Sequence, residues 1–193
     1  ATASPARDAV GAAAARAKKI LILMSNTGGG HLASAKAIEQ ALDVQYPGQF
    51  ECDIVDVWTD HTFFPYNRFV PWYKKMAKNP WMWKVMWKYA SFYPSKRLTE
   101  ESANLALHKR FRKCIDAHAP DLVLSVHPLC QDIPLRVLRR ADAERAGVRR
   151  GFGYFSRRKK GARTTPFVTI VTDLGGASNH WFDPGVDVCF VPG

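Results

Sequence analysis

An α/β fold on a doubly wound parallel sheet is what this sequence predicts, and three observations predict it. Five short, continuous apolar or β-branched runs recur along the chain; stretches of helical character lie between them; and the segments richest in Gly, Pro, His and Asp directly follow the runs. Runs so short and so apolar suit strands buried on both faces. Strands alternating with helices imply a parallel sheet, whose ligands gather beyond the carboxyl ends of the strands. At 193 residues the chain is large enough for one such domain and small for two.

Residues 1–17, rich in Ala with Ser, Thr and Arg, are predicted to stand outside the fold, as a flexible N-terminus or the remnant of an organelle transit peptide. The domain then occupies 18–193. Its first strand is predicted at 20–24. A helix follows in "LASAKAIEQALDVQY", where Ala35, Ile38 and Leu42 share one face, and Pro47-Gly48 ends it. The second strand is predicted at 50–57. A helix over about 99–118 is predicted to turn Leu105, Phe111 and Ile115 inward. Strands at 122–126, 167–172 and 186–191 complete the sheet, with a basic insertion at about 141–164, "RAGVRRGFGYFSRRKKGAR" at its heart, ahead of the fourth strand. Four segments, "SNTGGGH", "WTDHTFFPYN", "HPLCQDIP" and "DLGGASNHW", each follow a strand and are expected along one edge.

Composition narrows the function classes. With 47% apolar and 23% charged residues the chain is predicted to fold, and no apolar run approaches the roughly 20 residues needed to cross a bilayer. A formal charge of +11 points to an anionic partner: nucleic acid, nucleotide or acidic lipid headgroups. Cys52, Cys114, Cys130 and Cys189 are widely spaced and form no CxxC pair, so neither a disulfide framework nor a zinc site is indicated.

Gly28, Gly29 and Gly30 are expected to let the backbone turn sharply and approach a ligand without Cβ interference. The helix that starts behind them offers free N–H groups and a partial positive charge, which attract phosphate. The segment is neither a Walker A loop nor GxGxxG. His31 would project from this helix start over the strand edge. An imidazole there can take a proton from a hydroxyl near neutral pH, as a general base does, or serve simply as a hydrogen-bonding residue. His61, His127 and His180 read as ordinary loop residues, and Asp60 and Asp173 either as loop caps or as groups that position His31 or a substrate.

Residues 58–93 hold 13 of the chain's 23 aromatic residues, interleaved with Arg68, Lys74, Lys75, Lys78, Lys84 and Lys88. Trp, Met and Phe buried in an apolar phase with lysines reaching anionic headgroups describe an interfacial helix. Two other readings stay open: the aromatics fill the domain's own core, or they stack on RNA bases, although no RNA-binding motif accompanies them.

Taken together, "KKILILMSNTGGGHLASAKAI", "DVWTDHTFFPYN", "SVHPLCQDIPLRVLR" and "TIVTDLGGASNHWFDPGVDVCFVP" resemble the N-terminal domain of monogalactosyldiacylglycerol synthases. More distantly, the chain is similar to bacterial diacylglycerol glucosyltransferases and to the glycosyltransferase that makes the lipid-linked peptidoglycan precursor. The resemblance implies the Rossmann-like N-terminal half of a GT-B fold, with a C-terminal donor domain absent from this sequence. It implies inverting transfer of galactose from UDP-galactose to the free hydroxyl of 1,2-diacylglycerol, with no cofactor and no metal. His31 is then the base, Gly28, Gly29 and Gly30 lie against the donor diphosphate, and Trp58, Asp60, Pro65 and Trp181 contact the acceptor or an anionic lipid. The implied partners are diacylglycerol, anionic membrane lipids such as phosphatidylglycerol, UDP-galactose held through the missing domain, and a second copy of the chain, with no nucleic acid. The implied location is the chloroplast envelope membrane, peripherally. Asn26 and Leu32 depart from the family pattern, where an acid and a base are usual. Two alternatives remain: a non-catalytic module for anionic lipids, and a diacylglycerol glucosyltransferase domain.

Overall fold

The computed structural model describes residues 16–147, 163–173 and 177–192. Five strands, β1 (Lys18–Met24), β2 (Phe50–Asp56), β3 (Leu122–Ser125), β4 (Phe167–Ile170) and β5 (Val188–Phe190), pair in parallel in the order β2-β1-β3-β4-β5. Between β1 and β2 lies α1 (Gly29–Gln45). Between β2 and β3 come the single turn α2 (Val57–Asp60), α3 (Phe69–Ala77), α4 (Pro80–Ser91) and the long α5 (Tyr93–His118); α6 (Asp132–Arg145) precedes β4. All five predicted strands are present, within a few residues of their expected ends.

The pleat of β1 explains the two layers. Successive side chains point to opposite faces. Leu21 and Leu23 enter a core shared with Leu107 and Phe111 of α5 and Leu135 and Leu138 of α6. Ile20, Ile22 and Met24 enter a second core with Ala35, Ile38 and Leu42 of α1. Helices therefore cover both faces, which is why β1 reads as one continuous apolar run. α1 ends at Gln45 just before Pro47, and Gly48 takes the positive φ of 70° that such a stop favours.

Three expectations need correction. β5 is exposed at all three of its residues, with Val188 46% and Phe190 56% accessible, so burial on both faces fails at this edge. Leu105 is 85% exposed while Ala103, Leu107, Phe111, Cys114 and Ile115 are buried; six residues separate 105 from 111, which is not a whole number of 3.6-residue turns, so the two cannot share a face. Residues 141–145, assigned to the insertion, complete α6. The rest of that insertion, 148–162, most of the N-terminal segment, 1–15, and residues 174–176 lie outside the described residues.

Candidate functional site

Strand order sets the site's place. From β1 the chain steps to β2 on one side, then returns to β3 on the other, so the loops after β1 and β3 diverge at the switch point of the sheet, where open α/β folds bind ligands. Residues 25–31 follow β1 and residues 126–131 follow β3. Here the predicted convergence holds. The half-buried imidazole of His31 has its Nδ1 3.0 Å from the carbonyl oxygen of Val126 and 2.9 Å from Oγ1 of Thr172, and its ring centroid is 4.5 Å from that of His127.

The hydrogen-bond chemistry assigns the ring protons. A carbonyl oxygen only accepts, so His31 Nδ1 carries the proton. Its Nε2 makes no hydrogen bond among the described residues. His127 has the opposite tautomer. Its Nδ1 accepts from the backbone N–H of Leu129 at 3.1 Å, which leaves Nε2–H to donate to Thr27 Oγ1 at 3.0 Å. Burial, and then the nearby His31, hold its pKa well below the usual histidine range. Of the two rings, only His31 has a nitrogen without a hydrogen-bond partner among the described residues.

A buried polar chain supports this pair. Thr169 donates to Gln131 Oε1 at 2.7 Å, Gln131 Nε2 donates to Ser125 Oγ at 3.1 Å, and Ser125 donates to the His127 carbonyl at 3.1 Å. All four residues are buried, and buried polar groups satisfied in sequence fix a single arrangement.

The glycines serve differently from the expectation. Gly28, the N-cap of α1, is extended at φ −157° and ψ 156°, a conformation open to any residue, and Gly29 and Gly30 are already helical. No sharp turn demands them. A Cβ built on any of the three meets no atom within 4 Å, so the space over the bend is open. No side chain caps α1 and no acid stands in its first turn, which leaves its N–H donors facing that space.

The other predicted contacts separate into two groups. Trp58 is 7% exposed, donates its Nε1–H to the Leu129 carbonyl at 3.2 Å and packs on Phe69 and Phe111. Trp181 is fully buried, 6.2 Å from the His31 ring, with Nε1 donating to Asp173 Oδ2 at 2.7 Å. Both indole N–H groups are engaged inside the protein and both rings pack among its own side chains. Asp60 and Pro65 are exposed. The charge of Asp60 bears on His61 and on Cys114 of α5, and no described contact joins it to His31. Asp173 serves as the anchor of Trp181. The sequence reading had His127 as an ordinary loop residue and passed over Thr172 altogether.

Beside this site stand α3 and α4. A ladder of rings, Trp58, Phe69, Tyr73 and Trp83, runs from the core outward with centroid separations of 5.5, 6.2 and 5.5 Å. Tyr73 comes close enough to Asp173 that its phenol is pushed up, first by burial and then by that carboxylate. Trp72, Trp81, Val85 and Tyr89 instead face solvent at 56, 71, 52 and 54% exposure. Residues 81, 85 and 89 repeat every four positions and so share one stripe of α4. A hollow of about 560 Å³ lies there, lined by Trp81, Trp83, Lys84, Val85 and Lys88. The aromatic segment is thus divided: part core, part exposed face.

Comparison with known proteins gives a consistent result. The family model for monogalactosyldiacylglycerol (MGDG) synthase matches residues 31–146. The chain is 34% identical over 186 residues to monogalactosyldiacylglycerol synthase 1, chloroplastic, of Arabidopsis thaliana, covering 94% of this chain and 31% of that protein. It is 35% identical over 183 residues to Arabidopsis synthase 3, covering 93% and 35%, and 32% identical over 179 residues to the chloroplastic synthase of Spinacia oleracea, covering 91% and 30%. The chain spans about a third of the length of these curated relatives.

Proposed function

Because the chain belongs to the monogalactosyldiacylglycerol synthase family, we propose that it forms the acceptor side of a galactolipid-making glycosyltransferase and supplies its general base. The observation that carries this reading is His31: Nδ1–H tied to the Val126 carbonyl, Nε2 without a partner among the described residues, at the switch point and beside a bend of three glycines with open space over it. As the free hydroxyl of 1,2-diacylglycerol attacks the anomeric carbon of UDP-galactose, Nε2 takes the hydroxyl proton and the bond to UDP breaks on the opposite side. One in-line displacement inverts the centre, so a single base on the acceptor side suffices. UDP departs as an anion, and the N–H groups of α1 offer fixed donors to its diphosphate without metal or cofactor. A donor-side domain holds the rest of UDP-galactose.

The exposed stripe of α4, with Trp72, Lys74, Lys75 and Lys78 from α3 and its end, fits a surface that rests on an anionic bilayer. No described helix is long and apolar enough to cross a membrane. The proposed setting is peripheral, on the chloroplast envelope, with diacylglycerol delivered from the bilayer to the neighbouring cleft.

The test joins this chain to the donor-side half of a relative and follows transfer from UDP-galactose to diacylglycerol. His31→Ala is expected to lower kcat by about 10²- to 10⁴-fold while vesicle binding persists. Turnover near the unsubstituted level would remove His31 from the chemistry and leave the second reading, a non-catalytic anionic-lipid module, which the α4 stripe supports independently of His31. UDP-glucose in place of UDP-galactose tests the glucosyltransferase alternative.

A further inference from the structure

We propose that Thr27 is a further binding residue of this site, a hydroxyl that donates to an anionic phosphate oxygen, and that His127 is the positioning residue that keeps it a donor. The inference rests on the reading above of the start of α1 as a phosphate seat, and deepens it. Two hydrogen bonds carry it. His127 Nδ1 lies 3.1 Å from the backbone nitrogen of Leu129, and His127 Nε2 lies 3.0 Å from Thr27 Oγ1.

A backbone N–H can only donate, so Nδ1 of His127 is a bare acceptor and the ring's one proton sits on Nε2. Thr27 Oγ1 therefore accepts that proton's hydrogen bond. Its own hydrogen has to point elsewhere, and Oγ1 makes no second hydrogen bond among the described residues. Thr27 is only 7% exposed, and a buried donor left unspent is costly until a ligand or a water takes it. The ring sets the hydroxyl, and not the reverse. His127 is buried, held at Nδ1 by Leu129 and at its carbonyl by Ser125 Oγ at 3.1 Å, whereas no other described hydrogen bond ties the Thr27 side chain. Burial, and then His31, keep the ring neutral, so the donor at Nε2 is not exchanged for a second tautomer.

Position says what the hydroxyl is for. Thr27 directly precedes Gly28, the N-cap of α1, and the His127 ring it touches stands 4.5 Å, centroid to centroid, from His31 in the first turn of that helix. The unspent hydroxyl thus lies at the start of α1, next to the proposed base. No side chain caps α1 and its first turn holds no acid, while a Cβ built at Gly28, Gly29 or Gly30 meets no atom within 4 Å. Several backbone donors and one hydroxyl donor around open space suit an anion with several oxygens. A neutral alcohol would occupy one donor and leave the others without partners. The group recognised is therefore a phosphate, from the diphosphate of a nucleotide sugar or from the headgroup of an anionic lipid.

Amide shifts of Gly29, Gly30 and His31 in the ¹⁵N-labelled chain report occupancy of the α1 start. Titration with inorganic pyrophosphate and, separately, with monomeric short-chain phosphatidylglycerol distinguishes the two sources, and at least one of them is expected to move these signals. T27V, which keeps the shape and removes the hydroxyl, should raise the apparent Kd of the responding probe about 10-fold. T27S, which keeps the hydroxyl, should stay within about two-fold, and T27A gives the same reading as T27V where T27V does not fold. The role of His127 has its own pair of variants. H127Q, whose side-chain amide reaches the Nε2 position, should also stay within about two-fold, whereas H127N, which serves Leu129 but falls short of Thr27, should weaken binding about 3-fold. No shift with either probe, an unaltered Kd in both T27V and T27A, a T27S as weak as T27V, or an H127Q as weak as H127N would overturn the proposal. Binding is read without turnover, so its failure is distinct from that of the base assignment, which His31→Ala tests.

Discussion

Replacing Trp81 with serine should loosen the chain from acidic membranes by an amount that can be worked from its exposure. A tryptophan carries on the order of 200 Å² of buriable surface, and this one leaves 71% accessible, so about 140 Å² is free to enter the headgroup–acyl boundary. At about 25 cal/mol per Å², full transfer gives roughly 3.5 kcal/mol. An interfacial ring is about half immersed, so about 2 kcal/mol, a ~30-fold rise in apparent Kd, is the expected loss. The lysines act separately, at about 1 kcal/mol each near an anionic surface, and salt screens them. Flotation with neutral and acidic vesicles at low and high salt separates the two contributions. W81S should weaken binding by a similar factor at both salt levels, whereas raising salt should cost the unsubstituted and W81S chains equally. Unaltered partitioning of W81S at both salt levels would refute the interfacial role of α4.

Other substitutions probe the interior of the site. Gly29→Ala should leave the melting temperature unchanged or raise it, because its Cβ meets open space and alanine gains up to about 1 kcal/mol over glycine inside a helix. In the joined enzyme the same change should raise KM for the nucleotide sugar; a drop in stability would contradict the open bend. Trp181→Phe should cost roughly 1–3 kcal/mol by denaturant unfolding, since Asp173 loses its buried donor, with vesicle binding untouched. A lipid-binding defect there would instead support a lipid contact at Trp181. His127 is held neutral in the fold, so the unfolded chain binds more protons below its own histidine pKa near 6.5. Stability should therefore fall as pH drops below about 6.5, by at most about 1.4 kcal/mol per pH unit from this group. Denaturant midpoints between pH 7.5 and 5 should show a shallower slope in His127→Gln, and an equal slope would place the proton elsewhere.

The strands were legible because a parallel sheet buries both faces of its central members, and the continuous runs at Ile20 and Val123 report that directly. β5 misled because its apolar residues sit at an edge over which the described residues place no layer. Leu105 misled because α5 carries leucines on both its buried and its exposed side, so apolar character alone does not pick the face. At the site, His31 was found because it follows a strand and three glycines, both local signals. Thr172 and His127 escaped for one reason. Their roles come from partners 141 and 100 residues away, and no local pattern marks a threonine that will meet an imidazole from the far side of the sheet. The inward packing of the two indoles was not legible, because sequence shows an aromatic near a loop without showing which way it turns.

The span between His31 and Thr172 also bears on how this protein matures. Their bond closes only after β1, β3 and β4 have docked, so the longest-range pairings of the fold must precede it. The α3–α4 stripe draws on neighbours within a few turns of chain. On the function proposed above, the bilayer-facing stripe needs only local folding, whereas the His31 imidazole gains its partners only once the sheet is complete.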